Sequence, residues 1–430
     1  MDRLSLLPNE LLDDIFSLAH TETEPLTGPL SKCLLPFFQR SFYRDVLLNS
    51  YEQFDRLHQI SRTRSDLLSL VCTLKLEIPT LEIEDEDGDS VETKDPNFPS
   101  NDAVVGLLSQ LLHLQKLRIR GSSRIVLLLL TPRDENKFPF CSTLRVLQVR
   151  ASFDSRQDPF EFLLLSTLHQ YHALKALLLD FDRSEATNDL EIVDIAILSN
   201  YRQLSSSISW FSLAAPLENP RYAEAFVGSV PAPIEIRLLQ TEISSMAVSE
   251  LLSYVQQPHL VQSLKIIAPG ALRPASDTFS PLRQFTHLKS IEADISASFD
   301  DILLILSEAP LESINLRWLC YIAIPTLNNL VTGSAKIETL REIVLDTVDA
   351  VRGRLVPREL AREELETWDL EDLDWVLPQW TDEFSREGFK DFLVLAKKEG
   401  IEVTGDAVEA LKIEEEWEEE MEYYRSVVGT

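Results

Sequence analysis

The chain is poor in the residues that most chemistry needs. In 430 residues it has four cysteines, three methionines and 12 glycines. Cys33, Cys72, Cys141 and Cys320 stand far apart, and no pair has the spacing of a metal site or a redox motif. Small buried thiols in a reducing compartment, cytoplasmic or nuclear, are the expectation. The few glycines form no phosphate-cradling loop, no dinucleotide-binding pattern and no Gly-x-Ser-x-Gly elbow. No nucleophile or acid–base pair stands out from the many solvated acids. The expectation is a protein that is not an enzyme and carries no cofactor and no metal.

Long apolar runs are also missing. Ile125–Leu130 is among the longest, far below the roughly 20 residues that a membrane-spanning helix needs. The first residues lack the basic start and unbroken apolar core of a signal peptide. There is no Asn-x-Ser/Thr acceptor. Positive charge is scarce, with 40 Lys and Arg against 70 Asp and Glu, a net of −30. Phosphate backbones and anionic lipid call for clustered cations, so neither nucleic acid nor a membrane is an expected partner.

What the chain does have is a repeat. Leu114-Gln-Lys-Leu117-Arg-Ile119 returns as Leu144-Arg-Val-Leu147-Gln-Val149 and Leu174-Lys-Ala-Leu177-Leu-Leu179. It returns again at Val261–Ile266, Leu288–Ala293, Leu311–Leu316 and Leu340–Leu345, with weaker copies at Ile208–Leu213 and Ile234–Leu238. The mean spacing is about 28 residues, within the leucine-rich-repeat range of roughly 20–29. Each unit supplies a short strand whose alternate Leu or Ile points inward. Helix-like stretches precede them: Val104–Leu112, Pro159–His169, Asp189–Ser199, Ser245–Val255 and Phe299–Ser307. No unit can bury its apolar face alone, so neighbours stack into an α/β solenoid, with a parallel concave sheet and outer helices. The asparagine usual after such a strand is missing, so the turns must satisfy their backbone groups in another way. His113, His172, His259 and His287 each fall four or five residues before an inward Leu or Ile. They sit in successive repeats and do not converge as metal ligands would.

Upstream, Tyr51–Val71 is helical in pattern and Thr73–Ile78 alternates as a first strand. Glu82–Pro99, rich in acids with Gly88, Pro96 and Pro99, reads as a solvated loop. Downstream, Ser385–Lys398 is amphipathic and Ile401–Val403 reads as a last short strand. From Leu355 to Thr430 there are 23 acidic and 8 basic side chains, which suits an acidic helical cap on the solenoid.

The first twenty residues form one amphipathic helix in pattern, with Pro8 in its first turn and Leu11, Ile15 and Leu18 at helical spacing. Leu7-Pro8-Asn9-Glu10-Leu11-Leu12-Asp13-Asp14-Ile15-Phe16 resembles the opening of an F-box, Leu-Pro-x-Glu-Leu-Leu-x-x-Ile-Phe. The segment Leu34–Arg44 is similar to divergent F-box-like proteins of basidiomycete fungi, although the usual Val-Cys-x-x-Trp ending is absent. Pro36 divides this second apolar segment, and a helix is expected from Pro36 to about Leu48. With the repeats, the resemblance is to leucine-rich-repeat F-box proteins. It implies an F-box-like helical segment over 1–50, a solenoid over 51–348 and the acidic cap over 349–430.

The resemblance also implies a function. Such proteins are substrate receptors of Skp–cullin–F-box ubiquitin ligases. Leu7, Pro8, Leu11, Leu12, Ile15 and Phe16 would bind a Skp-type adaptor on the cullin core, and the solenoid would hold a protein substrate. Because strand side chains alternate, Arg118, Arg120, Gln148 and Arg150 should project from the concave face. Lys265, Glu292, Asp294, Asn315, Arg317 and Asp346 should do so on later strands. Arg120 and Arg150 should be neighbours about 4.8 Å apart. Arg118, Arg120 and Arg150 are therefore the candidate substrate-binding residues, suited to an acidic or phosphorylated segment. The alternative is a leucine-rich-repeat scaffold whose degenerate F-box caps its own solenoid. A regulator of an enzyme such as a small GTPase would share the solenoid but not the Leu-Pro-x-Glu-Leu-Leu opening.

Overall fold

The computed structural model describes residues 34–78, 80–84, 90–94, 99–131, 138–152, 164, 167–182, 204, 206–215, 226–240, 248–268, 276–295, 297–306, 308–317, 320–346, 351–352, 379–382 and 384–415. The architecture is α/β. The chain divides into two compact units, Met1–Phe211 and Ser212–Thr430.

The first unit opens with α1 (Leu35–Arg44), which carries Pro36 in its first turn, followed directly by β1 (Asp45–Leu48). The single helix expected to reach Leu48 therefore ends at Arg44. Extension wins because Val46 and Leu48 fall opposite Leu74 and Leu76 of the neighbouring strand, which buries Leu48 and gives four residues ladder partners. Next comes α2 (Tyr51–Thr63), started by Ser50, whose hydroxyl accepts from the Gln53 N–H at 3.4 Å, and buried through Phe54 and Leu57. The short α3 (Ser65–Leu68) leads into β2 (Thr73–Glu77).

The acidic stretch expected to be a loop instead contributes strands. β3 (Thr80–Glu84) and β4 (Ser90–Lys94) pair antiparallel. Leu81, Ile83 and Val91 give the segment a period of two that its acidity conceals in the sequence. After α4 (Asn101–Leu108) come β5 (Lys116–Ser122), α5 (Ser123–Leu130), β6 (Val146–Ser152) and β7 (Ala176–Asp182). The Ile125–Leu130 run is thus helical, with Val126, Leu129 and Leu130 buried. β8 (Trp210–Ala215) crosses the division between the units.

Strands β1, β2, β5, β6 and β7 lie side by side and parallel. Leu74, Leu117, Leu147 and Leu177 share one register, and Leu76, Ile119, Val149 and Leu179 share another. Both rows are buried, as alternation requires of a sheet with one covered face.

The second unit repeats the scheme. It contains β9 (Glu235–Gln240), α6 (Val248–Ser253), β10 (Ser263–Ala268), β11 (Ser290–Ile295), β12 (Ala297–Ser298) and α7 (Phe299–Leu306). β13 (Ser313–Arg317), β14 (Cys320–Tyr321), α8 (Ile324–Thr332) and β15 (Glu342–Asp346) follow. After the short β16 (Val351–Arg352) and β17 (Gln379–Trp380) come α9 (Arg386–Lys398), β18 (Glu402–Thr404) and α10, residues 406–415. Strands β9, β10, β11, β13, β15 and β18 form a parallel run. Ile236, Leu264, Ile291, Ile314 and Ile343 make one buried row. The short strand expected near Ile401–Val403 is β18, so the acidic C-terminal region contributes one more strand to the sheet. Trp380, Phe384, Phe389 and Phe392 stack beside it, with ring centroids 5.0–6.2 Å apart.

Of the expected outer helices, Phe299–Ser307 coincides with α7. Val104–Leu112 and Ser245–Val255 begin or end a few residues away from α4 and α6. Asp189–Ser199 and most of Pro159–His169 lie outside the described residues, as does most of 349–378.

The missing asparagines have a visible substitute. In four units the residue before the first apolar position reaches back one repeat to a carbonyl. Thr143 Oγ1 donates to Leu114 O at 2.9 Å, Ser207 Oγ to Leu174 O at 2.6 Å and Thr339 Oγ1 to Leu311 O at 2.8 Å. His287 Nδ1 meets His259 O at 2.7 Å. Just beyond, one carbonyl per repeat accepts two N–H groups from the next. Gln115 O takes those of Arg145 and Val146, and Lys289 O those of Glu312 and Ser313. Most of the described turns entering a sheet strand are tied to their predecessor by such backbone bonds, which satisfies buried backbone groups.

Candidate functional site

The face of the sheet opposite the buried rows carries most of its charged side chains. In the first unit, Lys75, Arg118, Gln148 and Leu178 share one register, and Glu77, Arg120, Arg150 and Asp180 share the next. The three arginines expected to converge are therefore neighbours. Arg120 lies directly opposite Arg150, and Arg118 is two residues from Arg120 on the same face of β5. Rows repeat about every 4.8 Å across the strands and every two residues, about 6.6 Å, along them.

Their pairing differs. Arg150 Nε lies 3.4 Å from Asp180 Oδ2, its register neighbour on β7. Lys75, Lys116, Arg118 and Arg120 form no ion pair among the described residues. Arg118 is half-buried, and its Nε is screened from water and has no hydrogen-bond partner. Arg120 and Lys75 are exposed. Four like charges thus stand on two adjacent strands, with Glu77 the one acid in the same two rows of β2 and β5. Such a group is costly unless an anion visits it, and guanidinium favours carboxylate and phosphate in bidentate geometry.

The second unit's face is different. Arg237, Lys265, Glu292 and Asn315 share a register, but here cations and acids are matched. Arg237 Nη2 is 2.8 Å from Glu235 Oε1. Glu292 Oε1 receives both Lys265 Nζ at 2.7 Å and Arg317 Nη2 at 2.8 Å. Asn315 Oδ1 is buried with no partner. The cations of these rows are each paired with a carboxylate, whereas the cations without an ion pair named above lie on the first unit.

Lys75 and Asp180 share the rows of the three arginines and were not singled out from the sequence. The signal was present, because Leu74-Lys75-Leu76 aligns with Leu117-Arg118-Ile119, and Asp180 has the offset of Arg120 and Arg150. Which arginine is paired depends on side-chain geometry and was not readable. Leu7, Pro8, Leu11, Leu12, Ile15 and Phe16 lie outside the described residues.

Among the described residues no group of His, Cys, Asp and Glu is placed to hold a metal ion. No described helix is long and apolar enough to cross a membrane. No protein-family model matches the chain, and no curated protein matches it. Solved structures do match, among them one described as "Crystal structure of TLR13-ssRNA13 complex", with 12% identity and a TM-score of 0.26. The alignment covers 75% of this chain and 49% of that one, so this chain spans about half the length of that neighbour. A likeness at that score carries no argument, and the repeating α/β architecture rests on the strand ladder itself.

Proposed function

We propose that this chain is a protein-binding receptor built on leucine-rich-repeat-like units, and that it serves as the substrate-recognition subunit of a Skp–cullin–F-box E3 ubiquitin ligase. The observation that carries the receptor half is the unpaired cationic group of Lys75, Arg118 and Arg120 on an uncovered sheet face. Surface charge left unneutralised in a protein of net −30 suits an acidic segment of a substrate. The adaptor half rests on the F-box-like run Leu7–Phe16, with Leu7, Pro8, Leu11, Leu12, Ile15 and Phe16 as the docking face. No bond chemistry is assigned to the chain. Holding the substrate near the ubiquitin-loaded enzyme is its contribution, since proximity can lower a barrier by roughly 7–11 kcal/mol at best.

The test is co-expression of the full chain with a Skp-type adaptor, followed by size-exclusion chromatography. Co-elution is expected, and it should be lost in Leu11→Asp/Ile15→Asp with circular dichroism unchanged. A folded wild-type chain that elutes without the adaptor overturns the ligase reading.

A second reading has one observation in its favour. β1 follows α1 without a break and joins the sheet beside β2, so the second apolar segment is built into the solenoid's own edge. On that reading the N-terminal helices cap a scaffold and bind no adaptor. The same chromatography separates the two.

A further inference from the structure

The chemistry of the uncovered face follows from its spacing. Arg118 and Arg120 are two residues apart on β5, so their anchor points are about 6.6 Å apart and point the same way. The cation opposite Arg120 on β6, Arg150, is held by Asp180. Glu77 flanks Arg120 on the other side, and Lys75 flanks Arg118. The unpaired charge is therefore longest along β5, from Lys116 through Arg118 to Arg120, with Lys75 beside Arg118. A partner matching that direction and interval is itself an extended chain, because a strand presents every second side chain to one face with the same rise.

We propose that the first unit binds an extended peptide segment carrying two acidic side chains at alternate positions, acid-x-acid, laid along β5. One carboxylate meets Arg118 together with Lys75, and the other meets Arg120. Adjacent acids point to opposite faces of an extended segment, and only one can engage. Acids three apart also fall on opposite faces. The spacing is thus a specificity filter that simple charge attraction would not produce. Glu77 sharpens it by repelling a segment placed across the strands toward β2. Nucleic acid fits the face less well, because its phosphates meet the repulsion of a chain of net −30. The inference rests on the receptor half of the proposed function and is independent of the adaptor.

The test uses the full-length protein and fluorescein-labelled nine-residue peptides of equal net charge, read by fluorescence anisotropy at 50 and 150 mM salt. The peptides carry two glutamates at spacings of one, two or three on a Ser/Thr/Val background, which favours extension. Binding at spacing two should be at least tenfold tighter than at one or three. Arg118→Gln and Arg120→Gln should each reduce it at least tenfold, and Arg237→Gln, on the charge-matched second unit, should leave it unchanged. Thermal melts of each variant confirm folding, and exposed Arg120 gives the variant least able to disturb the core.

Equal affinity for all three spacings overturns the spacing inference and leaves an acidic-substrate face standing. No binding by any peptide overturns both. A single-stranded oligonucleotide of the same charge, run in parallel, overturns the inference if it binds more tightly than the spacing-two peptide.

Discussion

Thr143 donates its hydroxyl to the carbonyl of Leu114 at 2.9 Å, 29 residues earlier in the chain. That bond performs the task for which an asparagine was expected. Thr143→Val keeps the shape of the side chain and removes the donor, leaving the carbonyl short of a partner. A loss of about 1 kcal/mol is expected, read as a lower urea midpoint with an unchanged m-value. Thr339→Val, which breaks the equivalent bond to Leu311, should cost a similar amount. A variant with no measurable loss would mean that solvent serves these carbonyls equally well.

Glu292 is a carboxylate shared by two cations on the second unit's face. Its side chain is 22% exposed, and those of Lys265 and Arg317 are 20% and 38% exposed. Glu292→Gln leaves both cations partly desolvated and without their counter-charge. A loss of about 1–3 kcal/mol at pH 7 is expected by urea denaturation. Arg56→Ala is the contrast, because its contact with Glu52 is 4.0 Å long and almost fully exposed. Its effect should stay within about 0.5 kcal/mol.

Tyr171 sets a limit at high pH. Its ring is fully buried against Phe140, and its hydroxyl donates to Leu130 O at 3.1 Å. Burial, and to a smaller degree the neighbouring Cys141, raises its pKa well above the usual 10. The unfolded chain then releases this proton at a lower pH than the folded one. The Tyr171 contribution is complete below about pH 10 and is lost as pH climbs toward the folded value, by at most about 1.4 kcal/mol per pH unit. Tyr171→Phe should remove that part of the slope in urea midpoints measured from pH 9 to 11. At neutral pH it should cost no more than about 1 kcal/mol, since Gln170 Nε2 also donates to Leu130 O. Parallel wild-type and variant curves above pH 10 would refute the assignment.

Gly400 and Gly405 both have positive φ, at 77° and 104°, yet substitution should separate them. A Cβ at Gly400 meets nothing within 4 Å, whereas one at Gly405 would sit 2.7 Å from the carbonyl of Leu345 and 2.8 Å from Asp346 Oδ1. Gly400→Ala should cost about 1 kcal/mol from conformation alone. Gly405→Ala adds a collision with the backbone of β15 and should cost more than about 2 kcal/mol. Thermal melts of the two variants give the ranking directly.

Strands β5 to β11, β13 and β15 were legible because Leu-x-x-Leu-x-Leu is both the buried row and the repeat. Lys116–Ser122 and Val146–Ser152 fall where the pattern puts them, and Arg120 and Arg150 follow from the same offset. β1 was hidden because Asp45-Val-Leu-Leu continues an apolar run that also suits a helix, and its partner Leu74–Leu76 is 28 residues away. β3 and β4 were hidden by charge. The state of each arginine was out of reach for another reason. Arg150 and Arg120 occupy equivalent positions, and only the carboxylate on β7 distinguishes them.

The alternation along these strands has an evolutionary consequence. Leu117 and Ile119 are buried and specify how the chain folds, while Arg118 and Arg120 on the opposite face are left for the proposed ligand, and the two sets are interleaved. Outward letters can be rewritten one at a time without renegotiating the interior. A lineage carrying this scaffold is free to change its ligands by point mutation, while inserting a single residue within a strand would exchange the two alphabets and destroy both.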